Sequence, residues 1–550
     1  MATQDKLPAQ VSELRENVGE DGHTRKDSVT NAITKGQGLS GYETLTVWET
    51  IKAFKMNALI CFLASVSAAT DGYQIALIGN LVANPGFIEQ FGTVLNSKGE
   101  ISMASSVLST FNALASVGQI VGMVTLPFLS DRFGRKAAMF WYWYVKHDRH
   151  AHQVLLAMSI VIECVAKNWQ TWLIAKILGG IGVGCMQSTL PAYIAEIAPT
   201  RVRGASLMCY SVWWMVGQFF APVALQVMAE DDPKDYLTVV YSQWGHIGLM
   251  FLIYLWLPES PIWCIGRGQT ERAKKMIRFI YRGADIDVEH QYNLMVLVLE
   301  HERTELAGRN DKWWAIFKGI DGWRTIVACW TLVTQQFIGL GVFLSFASYF
   351  FLQAGIDDPF KVVCITSGIN ITATIAFMYV ADTWGRRYLA CAGTTLCWVC
   401  NVVIGIIGVT PQTGATNIVF VVFACFWNIG LMANASTGWG FIGEISSQRL
   451  RPYTAGFAAA SSCVIGVIMS VLIPSMINET DWNWGLKTCW FFAGVGAPFT
   501  IGMWFIIPET AGRTHAELDE LFERKIRPWQ FSKTVTATGQ LLESEKQEST

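Results

Sequence analysis

Charge is missing from most of this chain, and that constrains its fold more than any other feature. Of 84 charged residues among 550, 47 fall in three stretches, 1–50, 259–322 and 508–550, which together hold 157 residues. The remaining 393 residues carry long apolar runs. Soluble domains carry roughly 25% charged residues, whereas this chain has 15%. A membrane-crossing helix needs about 20 apolar residues, so with short connections the apolar part makes about 12 of them. We expect an all-α membrane protein with 12 transmembrane helices. A secreted protein, a β-barrel and a cytosolic enzyme are excluded. The 41 Lys+Arg nearly cancel the 43 Asp+Glu, which leaves no basic field for nucleic acid.

The polar segment 259–322 divides the apolar segments six and six. The expected organisation is a disordered cytosolic tail over 1–50, a six-helix bundle over 51–258, a cytosolic helical linker over 259–322, a second six-helix bundle over 323–507 and a cytosolic tail over 508–550. Within the linker, helical periodicity runs over Arg272–Tyr281 and Val288–Leu306. The tail carries an amphipathic stretch over Glu517–Arg527. Lys and Arg concentrate in alternate connections: Arg132, Arg135 and Lys136, then Arg201 and Arg203, the linker, Arg386 and Arg387, and Arg449 and Arg451. The positive-inside rule puts these in the cytosol, and both termini with them. The sequon Asn478-Glu-Thr480 then lies outside, too close to the membrane for glycosylation to be expected. The N-terminus lacks the basic-then-apolar pattern of a signal peptide.

All of the 13 cysteines but Cys264 fall in expected spans or at their ends, where a thiol serves as a small apolar side chain. Cys397 and Cys400 have CxxC spacing but read as buried and inert. The third span, 137–166, is interrupted by Val145-Lys-His-Asp-Arg-His-Ala-His-Gln153, which holds three of the eight histidines. A charged insert is costly in a lipid-facing helix. It reads better as a sequence artefact or a re-routed helix end than as a metal site, and poorly packed structure is expected there.

Three motif pairs recur at nearly one offset. Asp131-Arg-Phe-Gly-Arg135-Lys136 matches Asp382-Thr-Trp-Gly-Arg386-Arg387; Glu196 through Arg203 matches Glu444 through Arg451; Pro258-Glu-Ser260 matches Pro508-Glu-Thr510. Each pair occupies the same place in its half. This implies a duplicated six-span unit, and parallel halves with substrate bound between them near the midplane are a transporter architecture. Asp131, Arg135, Glu196 and Arg203 can form an ionic latch at the inner face of one half, and Asp382, Arg386, Glu444 and Arg451 in the other. Membrane anchoring by positive charge explains the arginines, but not the carboxylates at fixed spacing from them.

The same motifs carry a resemblance. Leu129-Ser-Asp131-Arg-Phe-Gly-Arg-Lys136, Pro191 through Gly204, Pro258-Glu-Ser-Pro261, Gln335-Gln336-Phe-Ile-Gly339 and Pro508-Glu-Thr-Ala-Gly-Arg513 resemble the sugar porter family of the major facilitator superfamily. The look is nearest to fungal sugar permeases, including α-glucoside–proton symporters. The resemblance covers about residues 56–527. It implies two pseudo-symmetric six-helix bundles, alternating access, and latches that close the cytosolic side in the outward-facing state. It also implies a plasma-membrane location.

A sugar offers hydroxyls and a C–H face, so its site needs amides and an aromatic surface. Gln335 and Gln336 are adjacent amides in an apolar span. They could bond neighbouring helices or a substrate, and the resemblance favours substrate. Trp439, five residues before Glu444, matches a family tryptophan. Asn434 and Gln218 are further candidates, with packing an equal reading for Asn434. The family often has Asn where Gly341 stands, which points to a different or larger sugar. Asp71 is an ionisable residue deep in the first span and hence a functional candidate, with Lys176 as its expected partner. The family's coupling Asp follows Gly-Tyr, and here that position is Gln74. The α-glucoside symporters carry a further carboxylate where Asp71 stands.

The reading is a sugar transporter, a hexose or α-glucoside symporter coupled to protons through Asp71. A facilitated-diffusion uniporter and a non-transporting sugar sensor are the alternatives. No nucleophile triad, metal cluster or phosphate loop is present in the sequence, so neither an enzyme nor a cofactor is expected.

Overall fold

The computed structural model describes residues 47–95, 99–136, 139, 154–284, 286–307, 313–411, 413–446, 450–511, 513 and 515–534. Expectations for the N-terminal tail before residue 47 and for the insert 145–153 lie outside the described residues.

Twelve spans follow one another. The first six are Lys55–Leu81, Ser105–Phe133, a third described over Val154–Val165, Trp169–Ile197, Thr200–Asp231 and Leu237–Trp256. The second six are Gly319–Phe337 continued by Ala347–Gln353, then Pro359–Trp384, Arg386–Ile407, Gly414–Ile445, Arg451–Ile477 and Thr488–Ile506. Among the described residues, nine helices are long and apolar enough to cross a membrane. The sixth span carries Gln243 and His246, and the seventh carries Arg324, Gln335 and Gln336.

Small residues set the closest helix crossings, as in membranes generally, where packing rather than hydrophobic exclusion joins helices. Spans 2 and 4 meet through Gly118 and Gly122 on one and Gly180 and Gly184 on the other. A methyl at Gly180 would fall 2.2 Å from the Ala115 carbonyl oxygen, and one at Gly184 2.0 Å from that of Gln119.

Span 7 is not one continuous helix. It stops at Phe337, turns at Gly339 (φ 100°), passes through a wide π turn over Gly341–Ser345 and resumes at Ala347. The Ile338 carbonyl at the break receives the Asn401 amide at 2.7 Å and the Trp427 indole at 3.1 Å. Side chains thus satisfy backbone that a lipid environment could not.

The loop after span 1 carries a short helix, Pro85–Phe91, and a two-stranded hairpin in which Val94 pairs with Ser102. At this end of the molecule the halves are sewn together. The Ser348 hydroxyl donates to Asn80 Oδ1 at 2.6 Å, Asn478 Nδ2 to the Met103 carbonyl at 2.9 Å and the Ser109 hydroxyl to the Val471 carbonyl at 3.0 Å. Asn478 is buried, so the sequon asparagine is already engaged in packing.

The opposite end carries helices Thr270–Ile280 and Val288–Ala307. The tail helix runs over His515–Glu523 rather than Glu517–Arg527, because Lys525 takes a positive φ of 54°. Leu518, Leu521, Phe522 and Phe531 are buried against Val327, Cys391 and Ile507 beneath the second half.

Candidate functional site

The duplicated motifs build duplicated geometry. Gly134 (φ 113°) and Gly385 (φ 90°) turn the chain into spans 3 and 9 in a conformation that favours glycine. A methyl at either would lie 2.5 Å from a carboxylate oxygen, of Glu259 in one half and Glu509 in the other. Those carboxylates cap the helix starts. Glu259 accepts the backbone N–H of Lys136 at 2.9 Å and of Ser260 at 3.0 Å. Glu509 accepts those of Arg386 at 2.9 Å and Thr510 at 3.1 Å. Negative charge at a helix N-terminus is the favourable arrangement. Burial raises the Glu259 carboxyl above its ordinary value, and the hydrogen bonds from Lys136 and Ser260 and the nearby Arg272 pull it back.

Of the expected latch in the first half, Arg135 and Glu196 meet. Arg135 Nε lies 2.9 Å and Nη2 2.8 Å from Glu196 Oε1, while Nη1 donates to the Ser130 hydroxyl at 2.7 Å. Arg203 is exposed at the start of span 5. In the second half Arg386 is half-buried. The side chains of Asp131, Asp382, Trp439, Glu444 and Arg451 lie outside the described set.

The amides of span 7 face the second half. Gln335 is buried and donates to Asn434 Oδ1 at 2.8 Å; Asn434 Nδ2 in turn donates to the Thr394 hydroxyl at 2.6 Å. Asn434 is fully buried, so it holds Gln335 in place. Gln336 donates to the Ser462 hydroxyl at 3.3 Å. Gln218 is half-buried beside Gly72 of span 1.

Asp71 is fully buried, and neither carboxylate oxygen completes a hydrogen bond among the described residues. Its polar neighbours are the Gln187 amide and the Tyr210 hydroxyl. Gln187 is oriented by Gln119, whose amide donates to its Oε1 at 2.6 Å. The expected Asp71–Lys176 pair is not formed. Lys176 Nζ is 2.9 Å from Glu163 Oε1, with both side chains buried. A nearer carboxylate from span 3 takes the cation.

Sequence reasoning missed Glu163, Glu259 and Glu509. The first had a signal, a lone carboxylate in the apolar run Val154–Val165. The other two sit in the repeated Pro-Glu-Ser/Thr motif, which marks the duplication without saying what the glutamate touches. No group of three or more His, Cys, Asp or Glu suited to a metal occurs among the described residues.

A duplicated twelve-span helical fold with buried polar groups in both halves defines a membrane transporter. The family model described as "Sugar (and other) transporter" matches residues 60–522, and the chain belongs to that family. It is 28% identical to the general alpha-glucoside permease of Saccharomyces cerevisiae over 505 residues, 90% of this chain and 79% of that one. It is 25% identical to the MFS transporter fmqE of Aspergillus fumigatus over 533 residues, 94% of this chain and 96% of that one. Among solved structures, the inward-open xylose transporter XylE from E. coli matches in fold. The TM-score is 0.66 at 23% identity, covering 84% of this chain and 99% of that one.

Proposed function

We propose that the protein carries a sugar, a hexose or an α-glucoside, across the plasma membrane together with a proton, by alternating access. Both termini and the linker lie in the cytosol, and the hairpin end faces outward. Gln335 and Gln336 with Trp439 bind the sugar, Asn434 orients Gln335, and Gln218 adds a contact from the first half. The observation that carries the proton half is the state of Asp71: fully buried, with neither oxygen completing a hydrogen bond among the described residues and only the Gln187 amide and the Tyr210 hydroxyl as polar neighbours. An ionised carboxylate in such a place would cost several kcal/mol, whereas a protonated one escapes most of that penalty. A group that takes a proton when enclosed and releases it when its site meets water couples proton movement to the conformational cycle. The alpha-glucoside permease among the relatives supports a sugar as the cargo.

The test is uptake of a sugar panel by a transport-deficient cell expressing the full chain, with extracellular pH recorded. Sugar-induced alkalinisation that Asp71→Asn abolishes supports symport. Uptake that only equilibrates, with no pH change, supports a uniporter. Sugar-dependent signalling with no labelled sugar entering supports a sensor.

A further inference from the structure

Span 3 supplies a second buried carboxylate to which the transport reading gives no task. Glu163 and Lys176 are each 1% exposed, with Oε1 and Nζ 2.9 Å apart. The Ser159 hydroxyl reaches the same oxygen at 3.2 Å, and the Lys176 ammonium stands 4.6 Å over the Trp172 ring. The other carboxylate oxygen, Oε2, accepts from Gln243 Nε2 of span 6 at 3.1 Å. The Gln243 carbonyl in turn receives the amide of Gln74. Gln74 lies three residues beyond Asp71 on the same helix of span 1.

A buried ion pair is weak as a stabilising device, since apolar side chains of similar volume often serve as well or better. What this one supplies is direction. An ionised carboxylate can only accept, so Gln243 must turn its NH2 towards Glu163 and its carbonyl towards Gln74. Gln74 must then donate, and its own carbonyl is what remains to offer. That carbonyl accepts no hydrogen bond among the described residues. With a neutral group at position 163 both amides are free to turn over, and Gln74 can present a donor instead. The Lys176 ammonium, 2.9 Å away and equally buried, is the opposite charge beside Glu163.

We propose that Glu163 is a positioning residue for transport: its charge, held by Lys176, fixes the polarity of the Glu163–Gln243–Gln74 relay so that Gln74 presents an acceptor to a hydroxyl of the bound sugar. This rests on the sugar-uptake reading above and adds a specificity element from the first half to it. The relay holds its acceptor beside Asp71, so substrate recognition and the proposed proton site share one turn of helix.

The experiment measures KM and maximal uptake of the transported sugar, with surface level, for the full-length protein. The variants are Gln74→Leu, the paired Glu163→Gln/Lys176→Gln, which leaves no orphan lysine, and their combination. Losing one sugar hydrogen bond is expected to raise KM about tenfold, with maximal uptake within about twofold. Because one change deletes the Gln74 acceptor and the other only releases its orientation, the combination is expected to be no worse than Gln74→Leu alone. Gln243→Leu, which cuts the relay with the ion pair intact, should give the same rise and stands in if the paired variant fails to reach the surface. Unchanged KM in any of these surface-expressed variants overturns the proposal, and so does an additive loss in the combination. Sugar-driven alkalinisation lost in the paired variant at unchanged KM also overturns it, by making Glu163 a proton carrier. A wild type that transports sugar without alkalinisation removes the symport reading alone, while the KM comparison still decides this one. A wild type that takes up no sugar sinks both.

Discussion

The carboxylate of Glu259 accepts the backbone N–H of Lys136 at 2.9 Å across 123 residues of chain, and Glu509 accepts that of Arg386 at the same distance across the same 123 residues. The glutamate cap is therefore duplicated, but its shortest bond moves by one residue: the motif match sets Lys136 against Arg387, whose N–H lies 3.2 Å from Glu509 Oε2. In each half the last span is tied to the start of the third, through a glutamate that caps a helix whose preceding glycine leaves no room for a side chain. The tie joins the end of the sixth span to the start of the third, so it couples those two spans of each half.

Removing that tie should be costly. Glu259→Ala leaves two backbone donors unmet and is expected to destabilise the protein by about 1–3 kcal/mol, read as a lower melting temperature of the purified protein in detergent. The pH dependence has a definite sign. Burial raises the Glu259 carboxyl above its ordinary 4.5, so the folded state holds this proton more tightly than the unfolded state. Stability from this group is then present at low pH and is lost as pH rises from about 4.5 through the raised folded value. Glu259→Gln cannot titrate and should flatten that limb. An equal slope in the variant would assign the pH dependence to other groups.

The Arg135–Glu196 contact gives a test that separates latch from anchor. Arg135 uses three nitrogens, two on Glu196 and one on Ser130. Lysine keeps the charge but not the fork. If the arginine only anchors the membrane edge, Arg135→Lys should transport normally. If it is part of a latch, both Arg135→Lys and Arg135→Ala should reduce uptake severalfold at unchanged surface level, with Arg135→Ala the worse and its conformers shifted inward. Labelled uptake alongside surface labelling decides this.

The parts legible in sequence were those in which one residue type at fixed spacing has one physical use. The repeated Asp-x-x-Gly-Arg turns required glycine, and Gly134 and Gly385 adopt the positive φ that only glycine takes readily. Charge scarcity marked out the spans. What escaped depends on contacts between segments far apart in the chain. Lys176 needs a carboxylate, and depth in the span points to Asp71, whereas the fold brings it Glu163. Glu163 sits just beyond an odd charged insert and at the end of an apolar run, so periodicity gave it no special weight. The break of span 7 at Gly339 was equally hidden, because it is made tolerable by Asn401 and Trp427, which come from spans 9 and 10.

Asn434 gives a graded prediction for the sugar site. It is fully buried, and its side chain bridges Gln335 and the Thr394 hydroxyl, so it acts through Gln335. Gln335→Ala is expected to raise KM for the transported sugar tenfold or more, about the discrimination lost with one or two hydrogen bonds. Asn434→Ala should raise it less, because Gln335 remains but is no longer held. The two changes combined should approach Gln335→Ala alone. Uptake kinetics of the three variants would show whether Asn434 has a separate contact, which an additive combination would reveal.

Closure of the hairpin end rests on the nearness of two backbones. A methyl at Gly79 of span 1 would fall 1.4 Å from the Ser345 carbonyl oxygen, at the end of the π turn in span 7. One residue on, Asn80 takes the Ser348 hydroxyl bond. No rotamer relieves a clash between a Cβ and a backbone carbonyl, so any residue but glycine must hold the two spans apart. Span 7 can yield only where it is already broken, near Gly339, and there Trp427 stacks on Phe343 with ring centroids 4.4 Å apart, which resists movement. Gly79→Val should therefore prevent this closed arrangement and hold the protein open at the hairpin end. Uptake should fall to background with normal surface expression. A cysteine placed at Ser348 should become reactive to an impermeant thiol reagent added outside, while the same cysteine in the parent protein reacts slowly. Transport near the parent level in Gly79→Val would mean that the two backbones need not meet during the cycle.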